Sequence, residues 1–374
     1  MTEGFGRADS TRTAGGARAL EREHYVSPEI FRRERERIFL ESWLYAGHVS
    51  ELPEPGAYLL FEHDDESVVV LRDKKGDLQA FANVCRHRGS RLCAEPSGRL
   101  GDRIRCPYHS WSYRLDGRLA HAPNMDEVPG FAPGDHGLMP VPFASWKGLV
   151  FVSLAPAPPA LLDRLLDLDD RVEPWRLGEL EVTARRVYEV DANWKLFFQN
   201  YSECYHCPTA HPLLNRLSPY RDSTSELSEG AVLGGPMRMA TSGGSMTITG
   251  ERCATPIPGV EGAQLDLVYY YTIFPNLFLS LAPDYVLIHR IDALDVRRTR
   301  IVCDWLFHPN ARAEAGFDPT PAVEFWDMTN RQDWELCANA QRGVASRAYR
   351  PGPYAEIESE VAAFDRQYLK AMGG

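Results

Sequence analysis

The chain has 374 residues, of which 44% are hydrophobic and 25% charged, a size and composition that suit a globular protein with a sizeable core. Lys and Arg number 41 against 52 Asp and Glu, a net charge of −11, and without a clustered basic stripe this argues against a nucleic-acid partner. The chain has neither an apolar run of the roughly 20 residues that cross a bilayer nor an apolar signal segment near its N-terminus, so we expect a cytoplasmic protein without a membrane partner.

The N-terminal region, residues 1–40, is predicted to hold a disordered tail and a helix. The tail, up to Leu20, is rich in Gly, Thr and Arg and offers almost nothing to bury. The helix is predicted over residues 27–44, because Ser27 can cap it, Pro28 suits its first turn and apolar residues recur at helical spacing.

Residues 41–155 form the first predicted domain. Segments rich in β-branched and aromatic residues, separated by Gly and Pro turns, run from residue 57 to 84 and recur up to Leu154. The Pro-rich segment 155–160 then predicts a domain boundary. We therefore expect an all-β first domain.

Residues 156–374 form the second predicted domain. Its pattern predicts a strand over 180–190, a helix over 193–206, several strands over 265–308 and a long helix over 320–342. Strands and helices that follow each other in this way indicate an α+β domain.

Eight cysteines in a reducing compartment should be free or metal-bound, and most isolated ones, such as Cys93, should be small buried hydrophobes. One group stands apart, because two short segments each supply one cysteine and one histidine with 18 residues between the segments: Cys85 and His87, then Cys106 and His109. A Rieske [2Fe–2S] cluster needs this set, two thiolates on one iron and two imidazoles on the other. The alternative is a structural Cys2His2 zinc site, although a zinc finger pairs cysteine with cysteine and histidine with histidine.

A second group of candidate ligands lies at His206 and His211. A non-haem Fe(II) centre takes two histidines and one carboxylate on one face and keeps its other positions open. On an uninterrupted helix two residues five apart would point in different directions, but Pro208 disfavours such a helix and a bend there would let the rings converge. The alternative is a helix end with two ordinary histidines.

The third ligand should be a carboxylate far along the chain. In the long C-terminal helix, Asp333 shares a stripe with Trp326 and Cys337 and has no basic residue three or four positions away. An inward carboxylate of this kind needs another partner, and a metal ion would serve. Asp327 is the second candidate.

At these motifs the sequence resembles the Rieske non-haem iron oxygenases, alpha subunits with a Rieske domain followed by a helix-grip-like α+β catalytic domain with an antiparallel sheet. The resemblance implies a [2Fe–2S] cluster at the four Cys and His positions and a mononuclear Fe(II) at His206, His211 and Asp333. It implies that Glu203 hydrogen-bonds His206 and links it to His109 of a neighbouring subunit in a homotrimer. An exposed helix-face Glu203 is the alternative. Asn200 is a weaker candidate for a hydrogen bond near the iron.

Glu203, within Glu-Cys-Tyr-His-Cys, resembles the branch of the family that acts on glycine betaine, stachydrine, carnitine and choline. That resemblance implies a monooxygenase that binds O₂ and a small molecule, removes an N-methyl group, and takes electrons from NAD(P)H through a separate flavin/iron–sulfur reductase. Hydroxylation of an aromatic or alkyl carbon is the alternative reaction, and a Rieske electron carrier the alternative class. Tyr269, Tyr270, Tyr271 and Phe274 are candidates to contact a methylammonium group, with core packing the simpler interpretation.

Overall fold

A computed structural model describes residues 16–373, so the predicted disordered tail up to residue 15 lies outside the described residues. The chain divides into two compact units: residues 41–159, and the residues up to Leu40 together with those from Ala160 onwards. The N-terminal segment therefore belongs to the same unit as the C-terminal part of the chain. Across residues 16–373 no helix combines the length and apolar character that crossing a membrane requires.

The unit of residues 41–159 is built from short antiparallel strands. They are β1 (Trp43–His48), β2 (Ala57–His63), β3 (Glu66–Arg72), β4 (Leu78–Ala82), β5 (Ser97–Arg99), β6 (Arg103–Arg105), β7 (Ser112–Arg114), β8 (Leu119–His121), β9 (Phe143–Trp146) and β10 (Leu149–Ser153). They form three sheets with the orders β1-β10-β9, β4-β3-β2-β5 and β6-β7-β8.

A single apolar core supports the two loops that carry the Cys and His candidates. Val69 and Leu71 of β3, Ile104 of β6 and Tyr113 of β7 are buried in it. These residues come from different sheets, so burial of their apolar surface fixes the loops after β4 and after β6 on the same core.

The other unit surrounds a six-stranded antiparallel sheet. Its helices are α1 (Glu23–Val26), α2 (Pro28–Glu34), α3 (Leu161–Val172), α4 (Trp194–Tyr201), α5 (Cys207–Ala210), α6 (Pro212–Leu217), α7 (Pro309–Arg312), α8 (Thr320–Val344) and α9 (Ser359–Ala371). The strands are β11 (Glu181–Val190), β12 (Val232–Arg238), β13 (Leu267–Ile273), β14 (Leu277–Leu281), β15 (Val286–Asp295) and β16 (Arg298–Phe307), in the sheet order β11-β16-β15-β14-β13-β12. Short 3₁₀ turns of this unit occur at Glu173–Trp175, Leu177–Glu179, Tyr220–Asp222, Gly262–Asp266 and Glu356–Glu358, and those of the unit of residues 41–159 at Val49–Glu51 and Pro133–His136.

Two predictions for the N-terminal region were wrong. The helix predicted to reach residue 44 ends earlier: α2 continues as one π-helical turn, Arg35–Phe39, and Trp43 begins β1. Trp43 pairs with Ser153 of β10, so hydrogen bonding to a strand far along the chain overrides the local helical pattern. The tail prediction also extended too far, because Leu20 is buried and the Ala19 N–H donates to the Gly352 carbonyl.

A fully buried ion pair joins the N-terminal helix to α4. Lys195 Nζ lies 2.6 Å from Glu34 Oε1, and both side chains are inaccessible to solvent. Glu34 also accepts hydrogen bonds from Trp194 Nε1 at 2.8 Å and from the Tyr368 hydroxyl at 2.6 Å. Because each charge is buried and paired, removing either partner alone should cost about 3–5 kcal/mol. The pair therefore holds α4, which leads into the metal-ligand segment, against α2 and α9.

Glycines in β12 allow a neighbouring segment to approach the sheet closely. Gly234 has a φ of +132°, and a Cβ there would lie 2.0 Å from the Tyr270 carbonyl oxygen of β13. A Cβ at Gly235 would lie 2.1 Å from the Thr224 carbonyl oxygen. Only glycine fits such close backbone contacts. Residues 223–227 consequently pack on the outer side of β12, where they border the cavity described below.

Candidate metal centres

The loops after β4 and after β6 each close as a tight turn around a cysteine. The Cys85 N–H donates to the Ser90 carbonyl and the Cys106 N–H to the Trp111 carbonyl, both at 2.8 Å. Both thiols are buried, with each residue 2% exposed. His87, in contrast, is exposed at the surface of this unit.

Aromatic rings order the two histidines of these loops. The His87 and His109 ring centroids are 4.7 Å apart. The Trp111 ring stacks on His87 at 4.9 Å with an interplanar angle of 4°, and Tyr108 stacks on His109 at 3.7 Å. The two imidazoles thus lie together near the surface, and the two sulfurs are buried in the same core.

The same four residues fit a two-iron cluster better than a single zinc ion. The ligand atoms of one tetrahedral zinc lie within about 4 Å of one another. Across residues 16–373, one group of three such ligand atoms lies within 4.8 Å of one another, and it is not in these loops. The four residues therefore do not form the tight group of a single zinc site. A two-iron cluster instead divides its ligands into a pair of thiolates on one iron and a pair of imidazoles on the other.

The group that does converge consists of His206, His211 and Asp333. Asp333 Oδ1 lies 3.2 Å from His206 Nε2 and 2.8 Å from His211 Nε2. The histidines occupy the two ends of the one-turn helix α5, which has Pro208 in its first turn, and Asp333 projects from α8. The predicted bend is present, and it brings the ring centroids of the two histidines to 5.1 Å.

Hydrogen bonds on the far side of each ring select the nitrogen that faces Asp333. His206 Nδ1 is 2.6 Å from Glu203 Oε1, and His211 Nδ1 is 2.7 Å from Gln332 Oε1. Both partners are acceptors, so each Nδ1 carries a hydrogen and Nε2 is the nitrogen that faces Asp333. In a neutral ring this Nε2 is the atom available to a metal ion that Asp333 also binds.

Electrostatics support the same conclusion. Burial lowers the pKa of His206, but hydrogen bonds with Asp333 and Glu203 outweigh it and raise the pKa to about 10. Burial raises the pKa of Asp333, but the hydrogen bonds and charges of the two histidines together outweigh burial and lower the pKa. The site therefore attracts positive charge, as expected for a His-His-carboxylate set that binds Fe(II).

The helix prediction for residues 193–206 was wrong in its second half. Helix α4 ends at Tyr201, and the chain continues to His206 in turns. Glu203 and His206 consequently share no helix face, although their side chains still meet. Glu203 is mostly buried rather than solvated, with 14% of its side chain exposed.

Asn200 and Asp327 have separate environments. Asn200 Nδ2 donates to Asp333 Oδ1 at 3.0 Å and lies 3.4 Å from His206 Nε2, so the structure brings Asn200 to the ligand group. Asp327 instead accepts hydrogen bonds from the Tyr188 hydroxyl and from Arg331 Nε. The second candidate for the carboxylate ligand therefore lies outside this group.

The cysteines of this segment correct the expectation that all thiols are unpaired. Cys204 and Cys207 form a disulfide with a Cα–Cα separation of 5.0 Å, within the usual range. Cys93 and Cys303 are free and buried, and Cys253 is free and partly buried. Two cysteines three positions apart gave no sequence signal for pairing, because the turn that brings them together was predicted as helix.

A cavity of about 280 Å³ opens onto the converging ligands. Its walls come from the segment 200–214, residues 223–225, β12, β13, α8 and the start of α9. Most of the lining is apolar or hydroxyl-bearing, including Leu214, Met237, Tyr270, Trp326 and Thr329. A small molecule can therefore enter beside the metal-ligand group.

Comparison with known proteins places both units in described families. Residues 42–132 match the Rieske [2Fe–2S] domain, and residues 177–374 match the catalytic domain of the ring hydroxylating alpha subunit. These matches confirm the predicted order of a Rieske domain and an α+β catalytic domain with an antiparallel sheet.

Individual relatives match between half of the chain and almost all of it. The glycine betaine monooxygenase oxygenase subunit of Chromohalobacter salexigens is 35% identical over 98% of this chain and 88% of its own length. The carnitine monooxygenase oxygenase subunit of Acinetobacter pittii is 38% identical over 50% of this chain and 51% of its own length. A solved quaternary ammonium Rieske monooxygenase, studied for carnitine oxidation by gut microbiota and inter-subunit electron transfer, is 27% identical and superposes with a TM-score of 0.83 over 95% of this chain and 94% of its own.

Proposed function

We propose that this chain, which belongs to the Rieske-type ring-hydroxylating oxygenases and is an oxidoreductase, N-demethylates a quaternary ammonium or betaine-type compound. The proposed catalytic activity rests on one observation. His206, His211 and Asp333 converge beside a cavity that admits a small molecule. Relatives named for glycine betaine and carnitine support the substrate class.

Two groups of residues would hold the cofactors. Cys85, His87, Cys106 and His109 would bind the [2Fe–2S] cluster, and His206, His211 and Asp333 the mononuclear Fe(II). When bound, the cluster supplies electrons and the Fe(II) activates O₂ for hydroxylation of a C–H bond.

The protein's own groups position this chemistry. Glu203 and Gln332 hold the two imidazoles with Nε2 toward the cavity, and Asn200 orients the Asp333 carboxylate through its amide. Mutation of groups that orient metal ligands in this way typically lowers metal affinity or activity by about 10–100-fold. The mostly apolar lining excludes water and accommodates the methyl groups of a substrate.

The proposed products follow from the chemistry of an N-methyl carbon. Hydroxylation with O₂, two electrons and two protons converts the methyl group to a carbinol and releases water. The carbinolamine then breaks its C–N bond and leaves formaldehyde, the demethylated amine and a proton. The electrons come from NAD(P)H through a separate flavin/iron–sulfur reductase.

The route between the centres is part of the proposal. We place Glu203 between His206 of one subunit and His109 of a neighbouring subunit in a homotrimer, so that each catalytic site depends on an adjacent copy. The hydrogen bond between Glu203 and His206 supports the first half of this link. A relative studied for inter-subunit electron transfer supports the second.

Product analysis tests the reaction. The iron-loaded protein is incubated with a compatible reductase, NADH and O₂, and with glycine betaine, choline, carnitine, stachydrine and several arenes. Formaldehyde together with a product lighter by one CH₂ is the expected result. Oxygen gained without loss of a methyl group would establish the hydroxylase alternative, and reduction without any product would leave a Rieske electron carrier.

A further inference from the structure

Three aromatic rings from different elements face the cavity beside the metal-ligand group. Tyr201 ends α4, Tyr270 lies in β13 and Trp326 lies in α8, and all three line the cavity. The Tyr270 ring centroid is 6.0 Å from that of Tyr201 and 6.1 Å from that of Trp326, with both pairs edge to face. Ring faces of this kind attract a cation that lies over them.

Strand geometry decides which tyrosine of the 269–271 run contributes. Tyr269 and Tyr271 do not line the cavity and stack on each other at 6.3 Å, while Tyr270 points the opposite way. The Tyr270 hydroxyl is buried and has no hydrogen-bond partner among the described residues. It is therefore a buried polar group on the cavity wall that a ligand can satisfy.

A carboxylate, Glu360, completes this part of the wall. It lies in the first turn of α9, is half-buried, and accepts a hydrogen bond from the Ser225 hydroxyl. Burial raises the pKa of Glu360 to about 7, although Ser225 opposes the change. Tyr201 lines the same cavity as Glu360. Burial raises the pKa of Tyr201, the hydrogen bond with Ser280 opposes this change, and the Glu360 charge adds to it.

The charges around the cavity are unbalanced. Among the described residues its lining contains no Lys or Arg, and its acidic members are Glu203, Asp333 and Glu360. Glu203 is engaged by His206, and Asp333 by both histidines. Glu360 is thus the lining carboxylate with no cationic partner in the described part of the chain, and a partly buried charge of this kind gains from a cation beside it.

We propose that Glu360 is the counter-charge that selects a cationic head group in this cavity, with Tyr201, Tyr270 and Trp326 as the aromatic surface around it. The ligand class is a methylammonium compound, and this choice rests on the proposed function. Any carboxylate that the substrate carries lies away from Glu360, because the two charges repel. Glu360 is a specificity-determining residue in this account, and it takes no part in the oxidation.

Binding to the holoprotein without O₂ tests the proposal independently of turnover. The probes are choline and its neutral analogue, in which a quaternary carbon replaces the nitrogen, and affinities are measured by calorimetry. The wild-type protein is expected to bind choline at least about tenfold more tightly than the analogue, which corresponds to about 1.4 kcal/mol. Glu360→Gln should weaken choline binding by about tenfold and change binding of the analogue by less than about twofold.

Glu356→Gln is the matched control, because Glu356 is an exposed residue just before α9 that does not line the cavity. It should leave both affinities unchanged. Equal weakening of both probes by Glu360→Gln, or equal affinity of the wild-type protein for both, would overturn the proposal.

A second variant keeps the test decisive if Glu360→Gln folds poorly. Tyr270→Leu removes a ring face and should weaken choline binding several-fold more than binding of the analogue, whereas an equal effect on both would count against the proposal. Failure of the proposed function has a different signature. In that case no demethylated product forms from any substrate, while the charge selectivity and its dependence on Glu360 persist.

Discussion

The two candidate metal centres are built from the chain in different ways. The four proposed ligands of the cluster site lie between Cys85 and His109, on the two loops that follow β4 and β6. The iron site joins a one-turn helix to a long helix, and His211 and Asp333 are 122 positions apart in the sequence. The first centre is thus a local construction, and the second depends on the assembly of its whole unit.

The solvent exposure of the histidines also differs between the two sites. His87 of the cluster site is exposed, whereas the His211 side chain is 1% exposed and that of Asp333 16%. A centre that exchanges electrons with another protein benefits from a ligand edge at the surface. A centre that activates O₂ benefits from an enclosed cavity, because excluded water strengthens electrostatic contacts and prevents side reactions. The exposure of the histidines, unlike that of the buried thiols, thus follows the proposed task of each centre.

The contacts that orient the rings also differ. Stacking by Trp111 and Tyr108 orders the histidines of the cluster site. Hydrogen bonds to Glu203 and Gln332 fix those of the iron site. Stacking fixes a ring plane, while a hydrogen bond also fixes which nitrogen is free to bind metal.

The largest expected effect comes from removing one iron ligand. His211→Ala should abolish turnover, because it leaves two of the three ligands of the mononuclear site. Iron content should fall from about three to about two per chain while the visible spectrum of the cluster is retained. Turnover that survives this change would show that His211 is not a ligand.

Removing a cluster ligand should leave the mononuclear iron in place. Cys106→Ser should remove the cluster and its spectrum and stop reductase-dependent turnover, while about one iron per chain remains. Cys93→Ser is the matched control, since Cys93 is buried in the same core but is not a proposed ligand. Loss of the mononuclear iron along with the cluster would mean that the two centres do not assemble independently.

A contact that the sequence did not reveal should have a smaller effect. Gln332→Leu removes the acceptor of His211 Nδ1 and should weaken iron binding or activity by about 10–100-fold, with the cluster unchanged. Iron titration of the depleted protein measures this. Asn339→Leu, on an exposed position of the same helix, should have no effect, and an equal loss in both variants would point to general damage of α8.

The smallest expected effect concerns the disulfide beside the iron site. Cys204→Ser opens a very short loop, so chain entropy predicts a loss of at most about 2 kcal/mol in the free energy of unfolding. Denaturant unfolding should give the same shift for the wild-type protein treated with a reductant, and no further shift when the variant is treated. A large loss of cluster absorbance would show that the disulfide affects more than the segment around the iron site.

Much of the fold was predictable because it follows local patterns. The strands from residue 57 onwards, the strands over 265–308 and the long C-terminal helix agree with the predicted segments, since each is long and strongly periodic. The errors occur where contacts with residues distant in sequence determine the secondary structure. Trp43 joined a strand because β10 was available, and the helix that was to include Glu203 ended at Tyr201.

Residue types and spacings were enough to identify the family, the order of the two domains and the candidate ligands of both metal centres, because thiolate, imidazole and carboxylate at these spacings suit few other structures. The contact of Gln332 with His211, the pairing of Cys204 with Cys207 and the position of Glu360 on the wall of the cavity became visible only in the folded structure. Those contacts join residues on different elements or within an irregular turn, and sequence periodicity carries no information about such distances. The physical reason is that burial and hydrogen bonding act between elements that meet only after the chain has folded.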